Sequence, residues 1–199
     1  WSDFAILYRI NSMSQPIEQA LRKEHIPYKI VGGFSFFDRK EIKTALAYLS
    51  LFANPYDTIA FSRAIQSHSQ GIGNVVIGRI EKLCKDKHYS IAEAIQHIDE
   101  IKVTGAQKKK LLEFSDMFSK AKQESNVQQI AIKLLQGSGY YNHIEQESHT
   151  DLDSQKRIDN LNEFITSIDS FLKDRPNATV SDYMQNISLI SSDIMEEED

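Results

Sequence analysis

From about residue 38 to residue 191, apolar residues recur at three- and four-residue intervals in run after run, most runs opened by a short polar side chain. Such spacing lays one apolar stripe on each of a series of helices. Each stripe finds cover only against another, so the segment is committed to helix-on-helix packing. Ile42, Ala45, Leu46, Leu49 and Phe52 form one stripe, stopped by Asn54-Pro55. Phe61, Ala64 and Ile65 mark the next, ending near Ser67; Val76, Ile77, Ile80, Leu83 and Cys84 mark a third. Leu111, Phe114 and Phe118 follow, and then a helix from Asn126 that stops at Gly137. The longest helix is expected from about Asp151 to Leu172, with Ile158, Leu161, Ile165, Ile168 and Leu172 inward; the last spans about Val180–Ser191. Asp38/Glu41, Ser90/Glu93 and Thr104/Gln107 read as capping boxes, and Asn74 reads as the cap of the third helix.

The period is different before residue 34. "FAILY" (Phe4–Tyr8) reads as a buried strand, "SQPIEQALRKEH" as a helix with Pro16 in its first turn, and "YKIVGG" (Tyr28–Gly33) as a second strand. Strand, helix, strand is a βαβ unit, expected to be parallel and right-handed. The predicted fold is therefore mostly α, a small βαβ piece over 1–33 followed by an all-helical domain over 34–192. Two strands make no stable sheet alone, so the first piece implies partners elsewhere. The closing "SSDIMEEED" reads as an acidic linker over 193–199, and both abrupt ends suggest a piece of a longer chain.

Composition removes several classes of function. A net charge of −5 over 199 residues argues against a globally basic nucleic-acid coat, while leaving room for a local basic patch. One cysteine, Cys84, makes no internal disulfide, and a reducing cytoplasm is the expected setting. No apolar run reaches the length of a membrane span, and the start lacks a signal-peptide pattern, so no membrane role is expected. The six histidines show no metal-ligand spacing, so no metal site is expected. No nucleophile–base pair stands out, and G-x-x-x-x-G-K-[ST] is absent, so no catalytic residue is assigned and no ATP is held in that manner.

Four features carry chemistry, each beside a plainer reading. Arg9 and Asn11 follow a predicted strand at the edge where parallel sheets bind ligands; they are phosphate and sugar or base contacts, or a surface arginine and a turn asparagine. Gly32 and Gly33 lie where the fold type changes and are a hinge or a plain turn, with Phe36 and Phe37 in the core either way. "GIGN" places Gly71, Ile72, Gly73 and Asn74 ahead of a helix, with Arg79 further in. That is a backbone cradle for a DNA phosphate pinned by an inward Ile72, or a tight helix–helix turn. Lys108, Lys109 and Lys110 open another helix, where cations oppose the helix dipole; they contact phosphate or form a solvated basic face.

Taken together, "FAILYRIN", "IPYKIVGGFSFFDRKEIKTALAYLSLFANP", "GIG" and "RIDNLNEF" resemble the UvrD/Rep/PcrA-type superfamily 1 DNA helicases in order and spacing, nearly from end to end. The resemblance implies that 1–33 is part of a RecA-like α/β motor domain (2A) and that 34–192 is the helical accessory subdomain (2B). It implies an ATP-driven 3′–5′ helicase as the parent, with ATP and Mg2+ bound outside this fragment, which has no cofactor of its own and no ATPase activity alone. Arg9 and Asn11 then lie on the single-strand track. Gly71, Ile72, Gly73, Asn74 and Arg79 contact the duplex backbone, and Gly32-Gly33 is the joint of the accessory subdomain. The implied partners are single-stranded and duplex DNA at a junction, the rest of the helicase chain, and repair or replication proteins as candidates. Gln15, Ser35 and Gln70 stand where relatives often carry basic residues, which predicts weaker phosphate attraction, and Thr44 replaces a common aspartate. The competing expectation is a non-enzymatic helical module that binds DNA or docks a protein.

Overall fold

The computed structural model of the chain describes residues 3–8, 13–24, 26–28, 36–68 and 71–195. These residues form ten α-helices: α1 (Ser14–Lys23), α2 (Lys40–Ala53), α3 (Thr58–His68), α4 (Asn74–Lys87), α5 (Ile91–Gln96), α6 (Gly105–Ala121), α7 (Val127–Gly137), α8 (Tyr140–Glu147), α9 (Asp151–Asp174) and α10 (Val180–Met195). Short 3-10 turns occupy Phe36–Asp38 and Ile98–Glu100.

Helix α2 is the axis of the bundle and packs against α3, α7, α9 and α10. Its Ile42, Ala45, Ala47, Tyr48, Leu49 and Leu51 are all buried and cover most of the helix, leaving a stripe through Lys43, Leu46 and Ser50 exposed or half-buried. A helix with apolar residues around most of its circumference is stable only inside a ring of others. Asn54 ends it, ahead of Pro55, with its N–H donating to the Ser50 carbonyl at 2.7 Å. At the core, Phe114 of α6 meets the rings of Phe61, Tyr48 and Phe118, edge-on to Phe61 at 5.8 Å. The Tyr48 hydroxyl donates to the Ala64 carbonyl at 3.1 Å and shares a hydrogen bond with Ser67 Oγ at 2.9 Å. Burial pushes this phenol up to about 12, so it remains a neutral donor tying α2 to α3. Phe36 and Phe37 are core as expected, edge to face at 5.2 Å.

Among the described residues from 36 onward the helical reading stands, with helix boundaries close to those expected. Two capping boxes are closed in both directions. Ser90 N–H donates to Glu93 Oε2 at 2.7 Å while Glu93 N–H donates to Ser90 Oγ at 3.3 Å. Thr104 and Gln107 do the same at 3.0 and 3.2 Å. Asp38/Glu41 makes no such box. Arg39 occupies the cap position without a side-chain cap bond, and Asp38 pairs with Lys43 at 2.8 Å. Glu41 turns inward instead, accepting from Asn160 Nδ2 with Arg157 Nε at 3.9 Å. Local pattern suited the box; the half-buried Arg157 and Asn160 of α9 claimed the carboxylate. Helix α8 had no counterpart in the sequence reading, because only Tyr140 and Ile144 mark its buried face. Helix α10 runs to Met195, beyond the expected stop at Ser191 and into the predicted acidic linker.

The βαβ piece is corrected. Helix α1 forms as expected, but residues 4–8 are irregular, and no strand occurs among the described residues. Phe4 and Leu7 are 78% and 94% exposed. An apolar run becomes a strand only when a neighbouring strand takes up its N–H and C=O groups, and no such neighbour is present among the described residues. Of the second proposed strand, Tyr28 is irregular and residues 29–33 lie outside the described residues.

A polar cluster joins α1, α2, α8 and α9. Arg39 donates to Ser14 Oγ at 2.9 Å and Asn160 Oδ1 at 2.6 Å, and its guanidinium lies 5.0 Å from the centre of the Phe36 ring. Arg157 donates to Glu147 Oε2 at 3.0 Å, and Lys40 pairs with the other oxygen of the same carboxylate. Replacing Glu41 with Ala strands Asn160 and weakens the pairing of Arg157, at an expected cost of about 2 kcal/mol in urea unfolding. Asp38→Ala, at the nominal capping position, costs less than about 0.5 kcal/mol. Lys40 first, and Arg157 with it, hold the Glu147 carboxyl below its ordinary range, against an opposing pull from partial burial. A lowered folded value gives stability that is present above the unfolded value and lost as pH falls. The gap in urea midpoint between the parent and Glu147→Gln is therefore expected to be widest near neutrality and to close below about pH 4.

Candidate nucleic-acid interface

The turn between α3 and α4 holds the two glycines for different reasons. Gly71 has φ +95°, a left-handed conformation that glycine adopts without strain. A Cβ there would meet Lys110 Nζ at an ordinary 3.7 Å, so backbone shape rather than crowding selects glycine. Gly73 has an extended backbone, φ −89° and ψ 172°, and nothing lies within 4 Å of a Cβ built on it. Among the described residues no crowding demands glycine at 73. Between them Ile72 points inward and is buried, as expected of a residue that pins the loop.

Gly73 is also the N-cap of α4, and its carbonyl accepts from Val76 N–H at 3.0 Å and Ile77 N–H at 3.2 Å. Asn74, expected as the cap, is the first helical residue, with Oδ1 accepting from Gln66 Nε2 at 3.2 Å. A capping side chain at 73 is impossible, so the orphan N–H groups of the first turn have no side-chain acceptor there. Gly73, Asn74 and Val75 are exposed. The positive end of the α4 dipole thus opens on solvent, with amides directed outward.

A second helix start braces this turn. Gln107 Oε1 closes the α6 capping box, and Gln107 Nε2 donates to the Gly71 carbonyl at 3.1 Å. Glutamate, the other capping-box residue, has no N–H to give, so the amide performs a task the carboxylate cannot. Of the lysine run, Lys108 pairs with Asp99 at 2.6 Å, Lys109 lies 3.9 Å from Glu113, and Lys110 reaches the neighbourhood of Gly71. Arg79 donates to the Lys102 carbonyl. Gly71, Ile72, Gly73 and Asn74 are therefore brought together, with Arg79 further along the helix and engaged with backbone. Arg9, Asn11, Gly32 and Gly33 lie outside the described residues, as do Ser35 and Gln70. Sequence reasoning missed Gln107 and Lys110 as neighbours of the turn, since they lie more than thirty residues away; glutamine at the third position of a capping box was the available signal.

Among the described residues no three His, Cys, Asp or Glu side chains gather to hold a metal ion, and no helix is long and apolar enough to cross a membrane. With no phosphate-loop motif either, the residues present do not fit an ATP–Mg2+ site.

The sequence matches the family described as UvrD-like helicase C-terminal domain over residues 1–199. It is 34% identical to the ATP-dependent DNA helicase PcrA of Leuconostoc citreum, over 96% of this chain and 27% of that protein. Against the ATP-dependent DNA helicase PcrA of Bacillus subtilis (strain 168) the figures are 32%, 96% and 26%. The chain spans about a quarter of the length of the curated relatives it matches.

The two glycines separate in a stability measurement. Gly71→Ala is expected to lower stability by about 1–2 kcal/mol, because alanine resists this φ. Gly73→Ala is expected to cost about 0.5–1 kcal/mol in thermal and urea unfolding, the difference between glycine and alanine at an N-cap.

Proposed function

The chain belongs to the UvrD-like helicase C-terminal domain family, and on that premise we propose that it is the duplex-gripping part of an ATP-dependent 3′–5′ DNA helicase. Residues 1–33 belong to the second motor domain, 34–192 form the accessory 2B subdomain, and 193–199 lead back toward the motor. ATP hydrolysis with Mg2+ occurs in parts of the parent outside this chain, and the chain alone hydrolyses none. Closure of the motor draws single-stranded DNA past Arg9 and Asn11. The helical subdomain meanwhile holds the duplex ahead of the junction and turns about Gly32-Gly33.

One observation supports the grip above the others: the exposed first turn of α4, which no side chain caps, preceded by a glycine around which a Cβ would meet nothing within 4 Å. A phosphate oxygen fits there because amides and dipole both favour an anion, and the missing side chain lets the strand come close. Buried Ile72 and the Gln107 bond hold the turn in one shape before DNA arrives, so little ordering entropy is lost on binding. Lys110 adds positive charge beside Gly71. Contacts of this kind reach the sugar–phosphate backbone alone, as suits an enzyme that opens duplex of any sequence.

Forked-duplex binding tests this reading. Gly73→Ala is expected to weaken it about fivefold, near 1 kcal/mol, with folding intact and similar loss on unrelated sequences. Gln107→Glu keeps the α6 cap but loses the Gly71 bond and sets a carboxylate beside the phosphate, so it is expected to cost at least as much. Unchanged affinity in Gly73→Ala would refute the grip.

A further inference from the structure

On the flank of α4, away from its first turn, lies an open groove of about 600 Å³ lined by Tyr56, Gly78, Lys82, Lys85, His88 and Tyr89, with Thr58, Glu81 and Cys84 completing it. The residues lining it run against helix stability at two places. Gly78 sits in the middle of α4, where alanine would serve the helix better, and a Cβ there would meet nothing within 4 Å. His88, at the left-handed end of the same helix (φ 56°), stands where glycine would be the easier choice. A side chain is missing where the helix favours one and present where the backbone disfavours one. Both positions open on the same groove.

The walls are fixed. Tyr56 is held by its N–H donating to Asn54 Oδ1 at 3.1 Å, and Pro55 carbonyl accepts from Ile91 N–H at 2.9 Å. Tyr89 is stacked on His97 at 4.9 Å. Lys40, Lys108, Lys120, Lys133 and Lys173 all pair with carboxylates, whereas Lys82, Lys85 and Lys87, like Lys102, Lys122 and Lys156, make no ion pair among the described residues. The helix dipole accounts for cations in the last turn, at Lys85 and Lys87, but not for Lys82.

We infer that this groove binds an acidic segment of a partner protein, which seats an apolar side chain over Gly78 beside Tyr56 and Tyr89 while its carboxylates meet Lys82 and Lys85. His88 supplies a further N–H donor. Charge selects the partner: Lys82 and Lys85 outnumber the single carboxylate, Glu81, in the groove of a chain of net charge −5. A nucleic-acid strand suits it less, because His97 already covers one face of Tyr89, where a base would stack. Lys85 lies twelve residues beyond Gly73, about 18 Å along the helix, so duplex and partner occupy α4 together. The inference does not rest on the duplex grip.

The test uses the intact protein and a fluorescent synthetic peptide that alternates glutamate with leucine. Saturable binding is expected, weakened about tenfold or more by Lys82→Glu with Lys85→Glu, and likewise by Gly78→Gln, whose side chain fills the groove. Gly78→Gln is expected to unfold at or above the parent's temperature, since glutamine favours helix. Its forked-duplex binding is expected to equal the parent's, and a loss there would place DNA in the groove and overturn the inference. So would the absence of saturable peptide binding, equal binding by the variants, or stronger competition from a thymidine oligonucleotide than from unlabelled peptide.

Discussion

Helix α2 is buried over most of its circumference, and the helices around it keep it so. Four other helices are needed to cover it, and their mutual contacts follow from that common task. The requirement explains why short connections and strong caps recur down the chain. A helix such as α5, with only Ile91, Ala94 and Ile95 to bury, starts reliably because Ser90 and Glu93 satisfy each other's backbone partners.

Most of this was legible in the sequence because the information is local and periodic. Val76, Ile77, Ile80, Leu83 and Cys84 announce one face of α4, and all five are buried. What escaped was non-local or too brief. Helix α8 offers two buried anchors one turn apart, fewer than any periodic pattern needs. Glu41 fits the capping signature as well as Glu93 does; only the arrival of Asn160 and Arg157 from α9 decides against it. The apolar run Phe4–Tyr8 signals burial, yet Phe4 and Leu7 are exposed, because a strand belongs to a sheet and cannot form from a local pattern alone.

The candidate interface was half legible. Two glycines flanking an isoleucine marked the turn, but nothing local distinguished the one that serves the backbone, Gly71, from the one that leaves a helix start bare, Gly73. The brace from Gln107 was invisible for a simpler reason: its partner lies on a different helix pair, and the residue already had a sufficient local role at the start of α6. A side chain with two functional ends can satisfy a local rule and a distant contact at once.

Arg39 links three parts of the molecule through one rigid, planar group, touching Ser14 of α1, Asn160 of α9 and the Phe36 ring. Sliding α1 away from the helical body must break the first of these contacts while the other two stay made, leaving guanidinium N–H groups to be rehydrated. Any movement of α1 relative to α9 is therefore felt first at one guanidinium, the group the two helices share.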